Sequence, residues 1–145
     1  MELLTSINES WGWIGIKPVQ VVGDNSFGNL IIKDEAGSYW RLCPEDLYCK
    51  VVANSRAELD TLSQDQEFLQ DWYMAKLEAV AKEQLGPLRP GYKYCLTIPS
   101  ILGGEYGGSN LATVPLKELI AVSGHMAREI QDLPNGAQIR LQVAE

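Results

Sequence analysis

The sequence predicts an α+β fold: an antiparallel sheet of about five to six strands with helices packed mainly on one side. Two observations carry that prediction. Apolar, β-prone runs cluster early, in "FGNLIIKDEAGSYWRLCPEDLYCKVVA" (residues 27–53). Segments with helical spacing follow them rather than alternating with them. With 145 residues the chain is expected to form one domain, 1–145, with a real core.

The elements follow in order. Residues 2–11 start a short helix that Gly12 weakens. Phe27–Lys33 and Ser38–Cys43 read as strands joined by the polar turn "DEAG". Pro44, Glu45 and Asp46 make a second turn, and Leu47–Ala53 a third strand. Leu30, Ile32, Tyr39, Arg41, Leu42 and Cys43 do not alternate cleanly, so both faces of the sheet are expected to be partly covered. Asn54 or Ser55 can cap the early helical turn "RAELDTL". One long helix is expected from Gln64 to Gln84, with Phe68, Leu69, Trp72, Tyr73, Leu77 and Val80 on its inner stripe. Gly86-Pro87 stops it. "YKYCLTI" (92–98) and "NLATV" (110–114) are strands, a helix runs over 115–132, and a last strand covers 139–143.

Between the two later strands lies "PSILGGEYGGSN", residues 99–110. Gly103 and Gly108 have the separation of a P-loop's glycines, but Ser109-Asn110 stands where that loop needs Lys-Ser/Thr. A dinucleotide fingerprint needs GxGxxG opening a helix, and here a strand follows. The GxxG at Gly104–Gly107 has the form of a nucleic-acid clamp, but Glu105 would repel phosphate. The expected role is a bend between strands, with glycines at positive φ.

No catalytic or metal constellation emerges. Cys43, Cys49 and Cys95 have no CxxC spacing and only His125 to join them, short of a closed zinc site, so reduced buried thiols are expected. Glu45 and Asp46 are adjacent carboxylates read as turn residues, and His125 as a surface residue. The four tryptophans read as packing, with one or two able to anchor an interface. No catalytic, metal or cofactor-binding residue is assigned.

The net charge is −7. Residues 1–72 hold twelve acids and five bases, and residues 73–145 hold seven of each. Clustered Lys and Arg are lacking, which argues against direct binding of nucleic acid. An acidic half suits a basic protein partner. No apolar run approaches a membrane span, and the N-terminus lacks the basic and apolar regions of a signal peptide, so a cytoplasmic, non-membrane protein is expected.

The blocks "WRLCPEDL" (40–47), "PSILGGEYGGSN" (99–110) and "SGHMAREIQDLPNG" (123–136) stand in one order along the chain. Together they resemble the C-terminal domain of bacterial type VI secretion DNase-immunity proteins, over residues 19–143. That domain looks related to the SUKH (Syd/Knr-like, Smi/Knr-like) superfamily. The resemblance implies an antiparallel sheet with flanking helices. It also implies a non-enzymatic immunity or antitoxin protein that binds and neutralises a bacterial toxin, with a type VI secretion nuclease effector as the candidate, and with no cofactor. Members of the family carry a longer region ahead of the domain, where this sequence has residues 1–18. Candidate partner contacts are Asp24, Glu35, Glu45 and Asp46 near the meander turns, with Glu105 and Tyr106 on the glycine loop. Two other readings stay open: a regulatory protein-interaction module without a toxin, and a small-molecule binder using a pocket near the glycine loop. Oligomeric state is left open.

Overall fold

The computed structural model describes residues 2–131. Among these residues six strands form two sheets. Strands β1 (Pro18–Asp24), β2 (Leu30–Asp34), β3 (Tyr39–Cys43) and β4 (Tyr48–Ala53) make an antiparallel meander in that spatial order. Strands β5 (Tyr92–Leu96) and β6 (Leu111–Pro115) form a separate antiparallel pair. Helices α1 (Glu2–Trp11), α2 (Arg56–Leu62), α3 (Gln66–Tyr73), α4 (Ala75–Leu85) and α5 (Leu116–Ile130) complete the described chain. The α+β class and the strand-then-helix order match the sequence reading.

The meander has an inner and an outer hydrophobic set. Leu30, Ile32, Leu42 and Cys49 point to a core closed by Ile7 and Trp11 of α1 and by Ile120 and Ala127 of α5. Alternate positions, Ile31, Tyr39 and Ala53, meet Trp72 of α3 in a smaller cluster on the other face, with Phe68 and Leu59 at its edge. The helices therefore bury the larger area on one side and cover part of the second. A third cluster, Phe27, Tyr94, Leu96, Leu111 and Ala81, ties the β5–β6 pair to α4.

The crossing of α1 and α5 depends on a missing side chain. A Cβ on Gly124 would stand 2.4 Å from the backbone oxygen of Ser10. Only glycine lets the two helices approach this closely.

Local chemistry sets the element ends. The Ser55 side chain accepts from the Glu58 N–H and starts α2, and Asp65 accepts from the Phe68 N–H and starts α3. Strand β1 escaped the sequence reading because "PVQVVGD" opens with proline and has no strong turn before it. Its pairing with β2 is interrupted by register shifts. The expected Gln64–Gln84 helix is corrected to two: Met74 lies in the left-handed region, at φ 49° and ψ 42°, and separates α3 from α4. No glycine or proline marks that break, so residue type gave no signal for it. The strand expected at 139–143 lies outside the described residues.

The three thiols are free, Cys43 and Cys49 buried as expected and Cys95 only half-buried. Burial pushes the Cys49 thiol up to about 12, the Cys95 thiol up to about 11, and the Cys43 thiol higher still, with Glu45 reinforcing the last. Thiols with such values hold almost no thiolate at neutral pH. Two outcomes are expected. In a thiol-labelling time course near pH 8, the native protein reacts slowly at every cysteine, and unfolding releases all three together; rapid labelling of one native cysteine would contradict this burial. Gly124→Ala is expected to lower stability in urea titration by about 1–3 kcal/mol, the usual range for overpacking. The helix would gain about 1 kcal/mol of propensity from that change, so an unaltered or raised midpoint would refute the close crossing.

Candidate partner-binding site

The glycine loop is a built bend rather than a cradle. Gly103, Gly107 and Gly108 all have positive φ. Gly104 allows a backbone contact: a Cβ there would lie 1.7 Å from the Ile98 oxygen. Asn110 fills the loop. Its Nδ2 donates to the oxygens of Ile98 and Glu105 at 2.9 and 2.8 Å, and its Oδ1 accepts from the Ile98 N–H at 2.8 Å. The loop's backbone is thus spent on itself, and a β-strand follows it where a phosphate site would need a helix start.

Asp46 fastens this loop to the meander. One of its oxygens accepts from the Ser100 hydroxyl and from the Tyr106 hydroxyl. Burial, reinforced by Asp46, pushes the Tyr106 phenol well above its usual range, so it stays a donor at any physiological pH. Tyr106 is nevertheless half exposed. Its hydroxyl is held at the sheet while part of its side chain remains open to a partner. Glu105 beside it is exposed.

Opposite Tyr106 lies the break at Met74. The change of direction there divides the stripe that the sequence assigned to one inner face. Phe68 and Trp72 turn to the sheet, while Leu69, Tyr73, Leu77 and Val80 line an open apolar groove with Tyr106 on its far side. Tyr73 is 61% exposed and Val80 40%. Leu77 also packs against the cluster of Phe27, Tyr94 and Ala81, as its place on the inner stripe predicts; Tyr73 and Val80 depart from that stripe, because periodicity reports a shared face and not what covers it.

Beneath the groove's first wall is a buried polar chain. Arg41 Nε donates to Asn29 Oδ1 at 3.1 Å, and Asn29 Nδ2 donates to both Glu45 oxygens at 2.9 and 2.8 Å. The other arm of the guanidinium reaches Asp71 of α3 at 2.5 Å. Phe68 and Trp72 lie over the guanidinium, 5.9 and 5.1 Å from its centre. Asn25 continues the chain, accepting from the N–H groups of Phe27 and Asn29 and donating to the Trp72 oxygen at 2.7 Å. Sequence reading singled out neither Asn25 nor Asn29, since a lone Asn gives no periodic signal.

The remaining candidates fall in different places. Asp24 ends β1 and pairs with Lys93 of β5 at 2.6 Å, bridging the two sheets. Strand register puts Asp24 at the same end of the meander as Asp46. Glu35 sits at the opposite end, exposed on the β2–β3 turn. Glu45 is 5% exposed, and its carboxylate faces the interior instead of a partner. It occupies a buried slot because Pro44–Asp46 form a tight turn that aims it inward. His125 is exposed on α5 and lies 3.1 Å from Glu129. Trp11 and Trp72 are buried, and Trp13 and Trp40 are half-buried. Among the described residues no group of three or more His, Cys, Asp or Glu could hold a metal ion.

A loop fixed to a sheet, exposed aromatics and a groove suit contact with another protein. Comparison with known families bears on which one. The family model described as T6SS immunity protein Tdi1, C-terminal, matches residues 53–127, more than half of the chain. The chain belongs to this family. The matched span contains α3, α4, the groove and the whole glycine loop. The crystal structure of Atu4351 from Agrobacterium tumefaciens is similar in fold, with a TM-score of 0.56 at 15% identity. That similarity covers 85% of this chain and 62% of Atu4351, so the chain spans less than two thirds of that neighbour's length. No match is found among curated proteins. Within this immunity-family domain, no described helix is long and apolar enough to cross a membrane.

Glu45 gives a test of the buried chain. Burial raises its pKa above the ordinary 4.5, with the Asn29 hydrogen bonds opposing. A carboxyl whose folded pKa is raised stabilises the fold below its unfolded value, and that contribution is lost as pH rises through the folded value. Stability of Glu45→Gln relative to the wild type is therefore expected to rise between pH 4 and pH 7 in denaturant titrations. A difference that stays constant across that range would show that Glu45 is ionised as readily inside as outside.

Proposed function

We propose that this domain is a non-enzymatic immunity protein, which binds a bacterial toxin and neutralises it by covering its working surface. Membership of the type VI secretion immunity family carries this reading. The toxin class that fits best is a nuclease effector. A nuclease exposes basic surface where it meets phosphates. This chain has a net charge of −7, with the excess in residues 1–72, and so presents the complementary sign. Asp24, Asp46, Glu105 and Tyr106, at one end of the molecule, are the contacts this reading retains from the sequence; Glu35, at the other end, is a weaker choice. The domain would act in the cytoplasm of the cell that makes it, where a delivered nuclease meets DNA, and would itself bind no nucleic acid.

The test has two steps. The tagged protein is purified from its host through a moderate salt wash, and retained proteins are identified by mass spectrometry. The effector recovered is then assayed for DNA cleavage with increasing amounts of the domain. Cleavage is expected to fall to background near one equivalent. An effector that stays fully active under saturating domain, or a host purification that returns no effector, would overturn the proposal.

A further inference from the structure

The groove between α3–α4 and the glycine loop leaves apolar side chains in water beside a fixed wall. Its apolar stripe, Leu69, Tyr73, Leu77 and Val80, is open, and Tyr73 presents an aromatic ring at 61% exposure. The residue at its corner, Met74, holds a left-handed conformation uncommon for a side chain of its size. Such backbone strain clusters at binding and switch regions, because the surroundings must over-determine it. The opposite wall is held still: Tyr106 is tied to Asp46, and Asn110 pins the loop behind it. A fixed wall facing an exposed aromatic is an anchor site that loses little entropy on binding.

Charge selects the occupant. Residues 66–85 and 99–110 hold five acids and two bases, with Glu67 and Glu105 exposed and Asp71 and Glu78 turned to Arg41 and Ser26. Lys76 is the basic residue among those that line it. An apolar floor in a region of net negative charge matches a segment that carries an apolar side chain flanked by Lys or Arg.

We propose that this groove is the docking surface for the toxin, and that it receives a basic segment of the toxin with an apolar or aromatic residue seated between Tyr73 and Tyr106. This rests on the immunity reading and assigns it a surface. The groove residues set the lifetime of the complex, and the acidic excess of the surrounding region speeds its formation.

The probe is the effector recovered from the host, inactivated in its catalytic residues, with affinity measured by calorimetry. Tyr73→Ala removes the exposed ring, and Val80→Lys places a positive charge in the groove. Both positions are exposed, so melting midpoints are expected to stay at the wild-type value. Each variant is expected to weaken binding by about thirtyfold or more, the threshold of an interface hot spot. Val122→Ser, on the exposed face of α5, serves as the control and is expected to bind like the wild type. Wild-type binding with both groove variants unimpaired would overturn the groove assignment and leave the immunity reading standing. Wild-type protein that fails to bind the effector would remove both. Size-exclusion chromatography adds a third outcome: if Tyr73→Ala converts a dimer to a monomer without changing effector affinity, the groove joins copies of this chain and the proposal fails.

Discussion

The buried guanidinium of Arg41 is the contact on which the arrangement around the groove depends. A charge taken out of water is costly unless neighbouring groups replace its hydration. Here Asn29, Asp71 and two aromatic faces do so. Asn29 stands just ahead of β2, and Asp71, Phe68 and Trp72 all lie on α3, so satisfying one cation fixes that helix against the sheet. Asp71 brings α3 onto the sheet. Asn29 links the cation to Glu45 and so to the β3–β4 turn. That turn presents Asp46, and Asp46 holds the glycine loop. The two walls of the groove are thereby referred to the same buried charge from opposite directions.

With α3 held in this way, the chain has to choose between a straight helix and two useful faces. A continuous helix over 66–85 would keep residues at three- and four-residue spacing on a single side. Trp72 is required beneath, against Arg41 and Ile31, and Ala81 is required against Tyr94 in the cluster under β5 and β6. These two sites lie under different sheets. One left-handed residue at Met74 lets each half-helix face its own sheet. Between them Leu77 still packs in part against the β5–β6 cluster, while Tyr73 and Val80 are left exposed in the groove. Exposure at Tyr73 follows from the packing demands on either side of it.

Sequence pattern made the meander legible because its signals are local. The "DEAG" and "PED" turns, with β-branched and aromatic residues around them, need no knowledge of the rest of the chain. The stop at Gly86, the Ser55 cap and the role of the glycines in 99–110 were legible for the same reason: each answers a demand of nearby backbone. The break at Met74 was hidden, because it answers two distant sheets and no residue type announces it. The separation of β5–β6 from the meander was hidden too, since strand runs do not state their partners. Among the candidate contacts, Asp46, Glu105 and Tyr106 come together because the loop closes on the turn. Glu45 was chosen for its charge, and the turn sends it inward. Residue type could identify the carboxylate but not the side of the turn on which it would fall.

Acidic residues in this domain thus have two kinds of work, and the difference matters for recognition. Asp34 takes hydrogen bonds from Trp40 and the Ser38 N–H, and these hold its carboxyl below the usual range; Asp24 and Asp71 are paired with cations. A paired carboxylate has part of its field cancelled at short range. Approach of a partner is governed over distances near the Debye length, about 8–10 Å at ordinary salt, where it is the net charge of a region that counts. The region of α3, α4 and the glycine loop keeps an acidic excess at that range whatever its local bonds. At contact the order reverses: rim charges are solvated and contribute little, and the desolvated apolar floor decides how long a partner stays. Acidity read from composition therefore speaks to capture by a basic partner. Retention depends on Tyr73 and its neighbours, which a hydrophobic stripe in the sequence had assigned to the core.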